Sequence, residues 1–406
     1  MERPYSGFGA VAPFFFSSFA WNVALGMTFL LIPLYAKALG MSGVEIGSLI
    51  ALPVVLQVVF TLAGGALTDR TGGKSMALAA CIMTCLSALV FMVSASFALM
   101  FVGQLLMVLA RAIFWPATWS LASELPGEPA KQLGRLNSAT NAGQIIGATL
   151  AGFVIEAAGF AVGFGVMAAA SFVALVLNQL YRAAKRVRNA TGPSALVTYR
   201  NLFKTRLIRY SLLCGYIAAL PVSLSFSFYP ILLVEQGLSP EVTGTLMSLR
   251  PVGSVAVGFV AGYLIPHTRG LATPLASAAA IAIMVAIGAA VTQPEPMGLT
   301  LFLLGAGAAV LIMYVQMLVG QHTAREVRGS AMGLVNSGWG ISLFTTPLVM
   351  GILNDAAGIR VAFYAIGAFT LLCSLTIIPL RRWVQEELEQ QPAPAAADDG
   401  RREEND

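Results

Sequence analysis

Two arginines, Arg111 and Arg250, stand inside long apolar runs of this 406-residue sequence. A guanidinium in hydrocarbon costs about 3 kcal/mol or more, so each must meet water, a backbone carbonyl or a ligand. A carboxylate would be the usual partner. Yet Glu45, Glu156, Glu235, Glu241 and Asp355 all fall near the ends of apolar runs. Two cations without buried counter-charges suit an anionic or strongly polarised small molecule, held by charge-assisted bonds. The other reading is structural, with both guanidiniums hydrated or bonded to carbonyls. Further chemistry is poorly supplied. The only histidines are His267 and His322, and Cys81, Cys85, Cys214 and Cys373 all lie in apolar runs, as expected of inert, packed thiols. With no nucleophile–base pair and no metal-ligand grouping at depth, neither an enzyme nor a metal or cofactor is expected.

The elements that must hold these arginines follow from composition. The chain is 57% hydrophobic and 11% charged, against about 25% charged residues in soluble domains. That points to an integral membrane protein. The apolar runs reach the roughly 20 residues a helical crossing needs and lack the alternation of barrel strands. Twelve spans are expected, near 12–36, 44–66, 76–95, 98–121, 136–156, 160–181, 208–233, 241–264, 271–291, 298–319, 330–353 and 361–380. The first has no cleavage-type site and reads as a retained helix. Of the 24 Lys and Arg, only Lys37 and Arg360 fall in one set of alternate loops, and Arg111 and Arg250 in spans. The positive-inside rule then puts both termini in the cytoplasm. The net charge of +5 reflects this topology, and no nucleic-acid partner is expected.

The chain also echoes itself. Gly134, Asn137, Ser138, Gly152, Ala157, Gly159 and Phe164 recur as Gly333, Asn336, Ser337, Gly351, Ala356, Gly358 and Phe363, each 199 residues later. Pro33, Gly40, Ser42 and Gly47 recur 197 residues later as Pro230, Gly237, Ser239 and Gly244; Pro53 and Gly64 recur 198 later as Pro251 and Gly262. The fold class expected is therefore all-α, with two parallel six-helix repeats and a site between them. The boundaries are a first bundle over 1–181, a basic cytoplasmic linker over 182–206, a second bundle over 207–382 and a disordered tail over 383–406. The tail's Glu, Asp, Ala, Pro and Gln cannot bury enough apolar area to offset ordering entropy.

Between the second and third spans the sequence reads Gly65-Ala66-Leu67-Thr68-Asp69-Arg70-Thr71-Gly72-Gly73-Lys74. This resembles the signature loop of the major facilitator superfamily, except that Gly73 stands where the family usually has a basic residue. The resemblance implies a gating loop of Gly65, Asp69, Arg70, Gly72 and Lys74 that latches the two halves. The equivalent second-half loop is eroded, with His267 opposite Asp69. Arg111 resembles the family's fourth-span arginine, with Trp115 where a Gly is usual. Gly134, Gly143, Gly147 and Gly152 resemble the fifth-span motif of its proton-coupled antiporters, with Ala148 for Pro and Ala151 for Gly. These small residues are expected to pack the fifth span tightly on the other half. The second copy has Ser342 and Thr346 at the places of Gly143 and Gly147.

The resemblance also implies which spans line a cavity. On them lie Trp21, Asn22, Arg111, Trp115, Trp119, Gln144, Tyr216, Arg250, Tyr314, Asn336 and Trp339, with Asn137, Ser223, Ser225, Phe226 and Gln316 beside them. A mostly apolar pocket with a few polar anchors is the usual composition of a ligand site. The implied activity is alternating-access, proton-coupled efflux of a small amphipathic or anionic compound: a drug, sugar derivative or carboxylate metabolite. Proton-coupled import of an organic anion is the alternative. Candidate proton carriers are Asp69, Glu156 and Asp355. The expected energy source is a proton gradient with no cofactor, and the expected partners are the substrate and the lipid bilayer. The setting implied is a monomer in a bacterial inner membrane.

Overall fold

The computed structural model describes residues 8–181, 202–267, 272–323 and 327–390, and their regular structure is entirely helical. The first half holds α1 (Phe8–Ala38), α2 (Gly43–Thr71), α3 (Gly73–Met92), α4 (Phe97–Glu124) and α5 (Pro129–Leu180). The second holds α6 (Arg206–Phe226), α7 (Tyr229–Glu235), α8 (Pro240–His267), α9 (Ala272–Ala290), α10 (Pro294–His322), α11 (Arg328–Ala357) and α12 (Ile359–Gln390). The 52 residues of α5 bend at Gly159, whose φ of 78° is left-handed and favours a residue without Cβ. Gly358, its repeat partner, turns α11 into α12 with φ 85°. One backbone device ends the echo in both copies.

Eight helical stretches of the described residues are long and apolar enough to cross a membrane. One, Lys131–Leu180, has length for two crossings at about 1.5 Å per residue. Of the other expected spans, α2 contributes the shorter apolar stretch Gly43–Gln57. Helices α8 and α11 are diluted by Thr243, Ser248 and Arg250, and by Asn336, Ser342, Thr345 and Asp355. The expected span 208–233 is not continuous. It stops at Phe226 and resumes at Tyr229, with Pro230 in the first turn of the short helix, where its missing N–H costs nothing.

The halves are packed to one plan. Helix α1 lies on α5, α2 on α4, and α3 on α4 and α5; likewise α6 lies on α11, α8 on α10, and α9 on α10 and α12. Helices α1 and α6 are the most enclosed, with 89% and 72% of their apolar windows buried against 50% or less elsewhere. A helix apolar all round belongs in the interior, and these two sit face to face at the centre.

Two further contacts join the halves, α2 with α11 and α5 with α8. They are copies of each other. A Cβ on Gly47 would strike the Pro347 carbonyl, and one on Gly244 would stand 2.7 Å from the Ala148 carbonyl. Gly351 meets the backbone of Gly43 as Gly152 meets that of Pro240. These approaches lie toward the turns at Gly40 and Gly237, here the Gly40 end; the opposite, Gly72 end carries most of the basic residues. Asp355 of α11 accepts from the Gly43 and Val44 N–H groups at 2.6 and 2.8 Å, capping α2 across the seam. Lys37 and Glu235 pair beside it.

The tail departs from expectation. Helix α12 continues through Gln390, so 383–390 is ordered helix. Val384 is fully buried, Arg206 lies 5.8 Å from the Trp383 ring, and it also pairs with Glu386. Those contacts supply the burial that composition alone did not foresee. Residues 391–406, and most of the expected linker, lie outside the described residues.

Candidate functional site

The centre of the seam is built from two phenylalanines and two arginines. Phe29 of α1 and Phe226 of α6 are repeat partners, 197 positions apart, and meet edge to face at 4.4 Å. Each carries the arginine of the other half. The Arg111 guanidinium from α4 lies 5.1 Å from the Phe226 ring, and that of Arg250 from α8 lies 6.0 Å from Phe29. This is within reach of cation–π attraction, at its outer edge for Arg250. Phe226 is the last residue of α6, where the helix breaks, so its ring is placed by an irregular backbone of the kind that marks transporter sites. Arg250 stands ten residues into α8, on the order of 15 Å deep at 1.5 Å per residue.

Both arginines are buried, 7% and 5% exposed. Arg111 donates from Nη2 to Gln57 Oε1 of α2 at 3.0 Å, leaving its Nε unpartnered. The Arg250 Nε is also unpartnered. Among the described residues the ion pairs are Lys37–Glu235 and Arg206–Glu386, neither of them here. The result is a buried, doubly cationic centre with two aromatic faces and Nε groups without a partner. It suits a flat apolar body carrying an oxyanion: the rings offer stacking surface and the guanidiniums offer planar, bidentate donors.

The other expected cavity residues divide. Trp21 is fully buried inside the first half, its indole N–H bonded to Thr84 Oγ1 at 2.9 Å and its ring stacked on Phe114 at 3.6 Å. Asn22 is likewise buried, accepting from Gln144 Nε2 at 3.0 Å and so tying α1 to α5. Both tie helices of the first half to one another. Because α1 is enclosed on every side, residue type does not reveal which neighbour a side chain faces. Trp115 packs on Trp21 and Phe114, with Trp119 stepped outward and 47% exposed. Tyr216 reaches Thr345 of α11 at 3.3 Å, and Trp339 is half-buried and Asn336 exposed on that helix. Tyr314 is buried elsewhere in the second half. Two central residues were not anticipated, Phe29 and Gln57. Phe29 was legible from the repeat, since 226 − 197 = 29; Gln57 shows no signal beyond being polar in an apolar run.

The antiporter-like glycines also divide. Gly143 and Gly147 face α1 of their own half, against the carbonyls of Phe19 and Val23; only Gly152 faces the other half. The expectation that the whole motif packs across the seam is corrected accordingly: the wide, enclosed α1 needs that close approach first. Gly134 meets no neighbour. In the gating loop, α2 continues through Gly65 to Thr71, and the side chains of Asp69 and Arg70 lie outside the described residues, as does that of His267. Gly72 makes the turn with φ 88°, and Lys74 donates to the carbonyls of Gln179 and Tyr181, closing the end of α5. Glu156 is exposed near the Gly40 end.

Known proteins share parts of this sequence and the fold. Among curated sequences, the quinolone resistance protein NorA of Staphylococcus aureus (strain Mu50 / ATCC 700699) is 25% identical over 144 residues, 35% of this chain and 37% of NorA. Multidrug resistance protein 2 of Bacillus subtilis (strain 168) is 26% identical over 142 residues, 34% of this chain and 35% of that protein. The chain thus spans little more than a third of the curated relatives it matches. Among solved structures, the nucleoside transporter NupG superposes with TM-score 0.77 at 14% identity, covering 91% of this chain and 99% of NupG. A bacterial homolog of the human lysosomal transporter Spinster, inward-facing and unoccupied, gives 0.72 at 15%, covering 94% and 99%. The sequence profile of the Major Facilitator Superfamily matches residues 14–296 and 211–402. Fold, repeat and profile agree over nearly the whole length, and the chain belongs to the Major Facilitator Superfamily.

Proposed function

We propose that this transporter exports a small amphipathic or anionic compound (a drug, sugar derivative or carboxylate metabolite) in exchange for protons, by alternating access. The carrying observation is the central clasp, in which two buried guanidiniums without carboxylates flank two facing phenyl rings. A substrate that replaces the rings against the guanidiniums brings its own negative charge and stacking face. Its binding then competes directly with the contacts joining the halves. A ligand shifts such an equilibrium only through contacts it makes better in one state, and this site supplies them. The names of NorA and of multidrug resistance protein 2 favour drug efflux as the direction, over about a third of their length.

In this reading the chain crosses a bacterial inner membrane twelve times, as a monomer with both termini cytoplasmic. No cofactor takes part, and the energy comes from the proton gradient. The Gly40 end, closed by the paired glycines and Asp355, is the outer face. Asp69, Glu156 and Asp355 are the proposed proton carriers, and no carboxylate of the described residues touches the clasp. Transport in proteoliposomes tests the reading. Everted vesicles acidified inside should accumulate an anionic fluoroquinolone or dye, and collapse of the gradient should release it. Accumulation in oppositely oriented vesicles, rising with an inward proton gradient, would establish the organic-anion importer instead.

A further inference from the structure

Two glycines on the seam helices meet nothing. Gly134 of α5 and Gly258 of α8 are exposed inside their helices, and a Cβ on either would have no neighbouring atom within 4 Å. Glycine is the poorest helix former after proline, so a helical glycine needs a reason. The paired glycines at the other end have one. A Cβ on Gly152 would stand 3.1 Å from the Gly244 Cα, and one on Gly244 would stand 3.0 Å from the Gly152 Cα. Gly134 and Gly258 have no such contact.

Their spacing supplies the reason. Gly152 meets Pro240 and Gly244 meets Ala148, so α5 and α8 run antiparallel in one register. Gly134 lies 18 residues from Gly152 (152 − 134 = 18), and Gly258 lies 18 from Pro240 (258 − 240 = 18). Eighteen residues are five whole turns at about 3.6 residues per turn. Each glycine therefore returns to the contact face, about 27 Å toward the Gly72 end. Continued without divergence, the register sets Gly134 against Gly258. Both are open instead, so α5 and α8 meet at the Gly40 end and part toward the Gly72 end. The sister helix α11 keeps the spacing, with exposed Gly333 18 residues from Gly351 (351 − 333 = 18).

We infer that Gly134 and Gly258 are the closing contact of a second state, in which the Gly72 end is shut and the Gly40 end is open. The inference rests on the alternating-access reading above. One face of each helix serves both states: Gly152 on Pro240 and Gly244 in one, Gly134 on Gly258 in the other. Small residues at each end let the backbones approach closely. Packed interfaces switch between discrete arrangements and do not deform continuously, so a face with a close-packing residue at either end suits a two-position seam.

Spin-label distances in the full chain test it, in proteoliposomes with and without an imposed pH gradient and with the four native cysteines replaced by alanine. One label pair replaces Ser138 and Ala256, exposed on α5 and α8 beside the two glycines; a second replaces Ala157 and Thr245, exposed on the same helices nearer the Gly40 end. The first pair should show a shorter-distance population that grows as the second pair's distance lengthens. Gly134→Val and Gly258→Val should each lower that population about fivefold or more, as overpacking of the second state. Their melting temperatures should stay at the parent value, because both side chains enter open space in the state described. Gly165→Val is the control, since Gly165 of α5 also meets nothing within 4 Å and lies off the seam register; it should leave the population unchanged. Lengthening of the second pair without shortening of the first overturns the glycine contact and leaves alternating access standing. Two invariant distances overturn both. A population unaffected by either seam variant, or lowered as much by Gly165→Val, also overturns the contact.

Discussion

The seam and the centre treat the internal symmetry in opposite ways. At the seam the close backbone approaches are duplicated: Gly47 against Pro347 and Gly244 against Ala148, Gly351 against Gly43 and Gly152 against Pro240. At the centre only the rings are duplicated. Phe29 and Phe226 are repeat partners, but Arg111 and Arg250 come from different spans, and their repeat positions hold Val310 and Leu52. A surface on which two bundles must rock keeps the same close backbone approach on both sides, because a side chain on either would block it. A surface that grips one asymmetric ligand gains nothing from symmetry. On the proposed mechanism, the duplicated parts would serve motion and the unduplicated arginines recognition.

Removing the unduplicated charges should have the largest effect. Arg250→Met deletes a guanidinium with an orphaned Nε. Binding of an anionic ligand should weaken by about tenfold or more, the factor that loss of a charged hydrogen bond worth about 1.5–3 kcal/mol brings. The ligand-free protein should melt higher, since an uncompensated cation has left an apolar site. Arg111→Met should weaken binding too. Its melting temperature should not rise as much, because Gln57 loses its partner. Equilibrium binding and thermal melting of both variants separate the two arginines. Unchanged anion affinity in Arg250→Met would remove the recognition half of the comparison.

Breaking the seam symmetry comes next. A Cβ on Gly244 would stand 2.7 Å from the Ala148 carbonyl, and Gly47 has the same relation to Pro347. Gly47→Val and Gly244→Val should each cost about 1–3 kcal/mol as overpacking. Both should slow transport and raise the reactivity of a cysteine placed at the Gly40 end. Equal effects at the two sites sharpen the symmetry; a large effect at only one breaks it. The aromatic clasp should respond less. Phe226→Leu keeps an apolar filling but loses the face beneath Arg111, worth about 1–2 kcal/mol where water is excluded. Its signature is selective, with aromatic anions losing affinity less than aliphatic ones if substrate rings replace the lost ring.

Much of this was legible in the sequence, for physical reasons. Close backbone approach admits little but glycine, so the 199-residue echo survives in the letters themselves. An arginine in an apolar run is costly enough to stand out, which is why Arg111 and Arg250 were visible. The partners of Trp21 and Asn22 were not legible because α1 is largely buried, and periodicity separates buried from exposed but not one buried face from another. The break at Ser227–Phe228 was hidden because Pro33, at the place of Pro230, sits inside an unbroken α1. The helical 383–390 was hidden because its stabilising partner, Arg206, is remote in the chain.

The smallest effect tests the one place where the seam departs from its symmetry. Glu156 and Asp355 are repeat partners at the Gly40 end. Asp355 accepts from two N–H groups at the start of α2, Gly43 and Val44, while Ser42 and Glu45 complete the cap. The start of α8 opposite Glu156 begins with Pro240, which has no N–H to offer, and Ser239 bonds Val242 at 3.3 Å. A carboxylate at a helix N-terminus gains from both the bonds and the dipole. Asp355→Asn keeps one acceptor oxygen and loses the charge, so it should weaken closure by about 0.5–1 kcal/mol. Glu156→Gln should change it by less. Distances between spin labels across the Gly40 end should show a larger open fraction for Asp355→Asn than for Glu156→Gln. Equal shifts would mean that general surface charge, and not the cross-seam cap, holds that end shut.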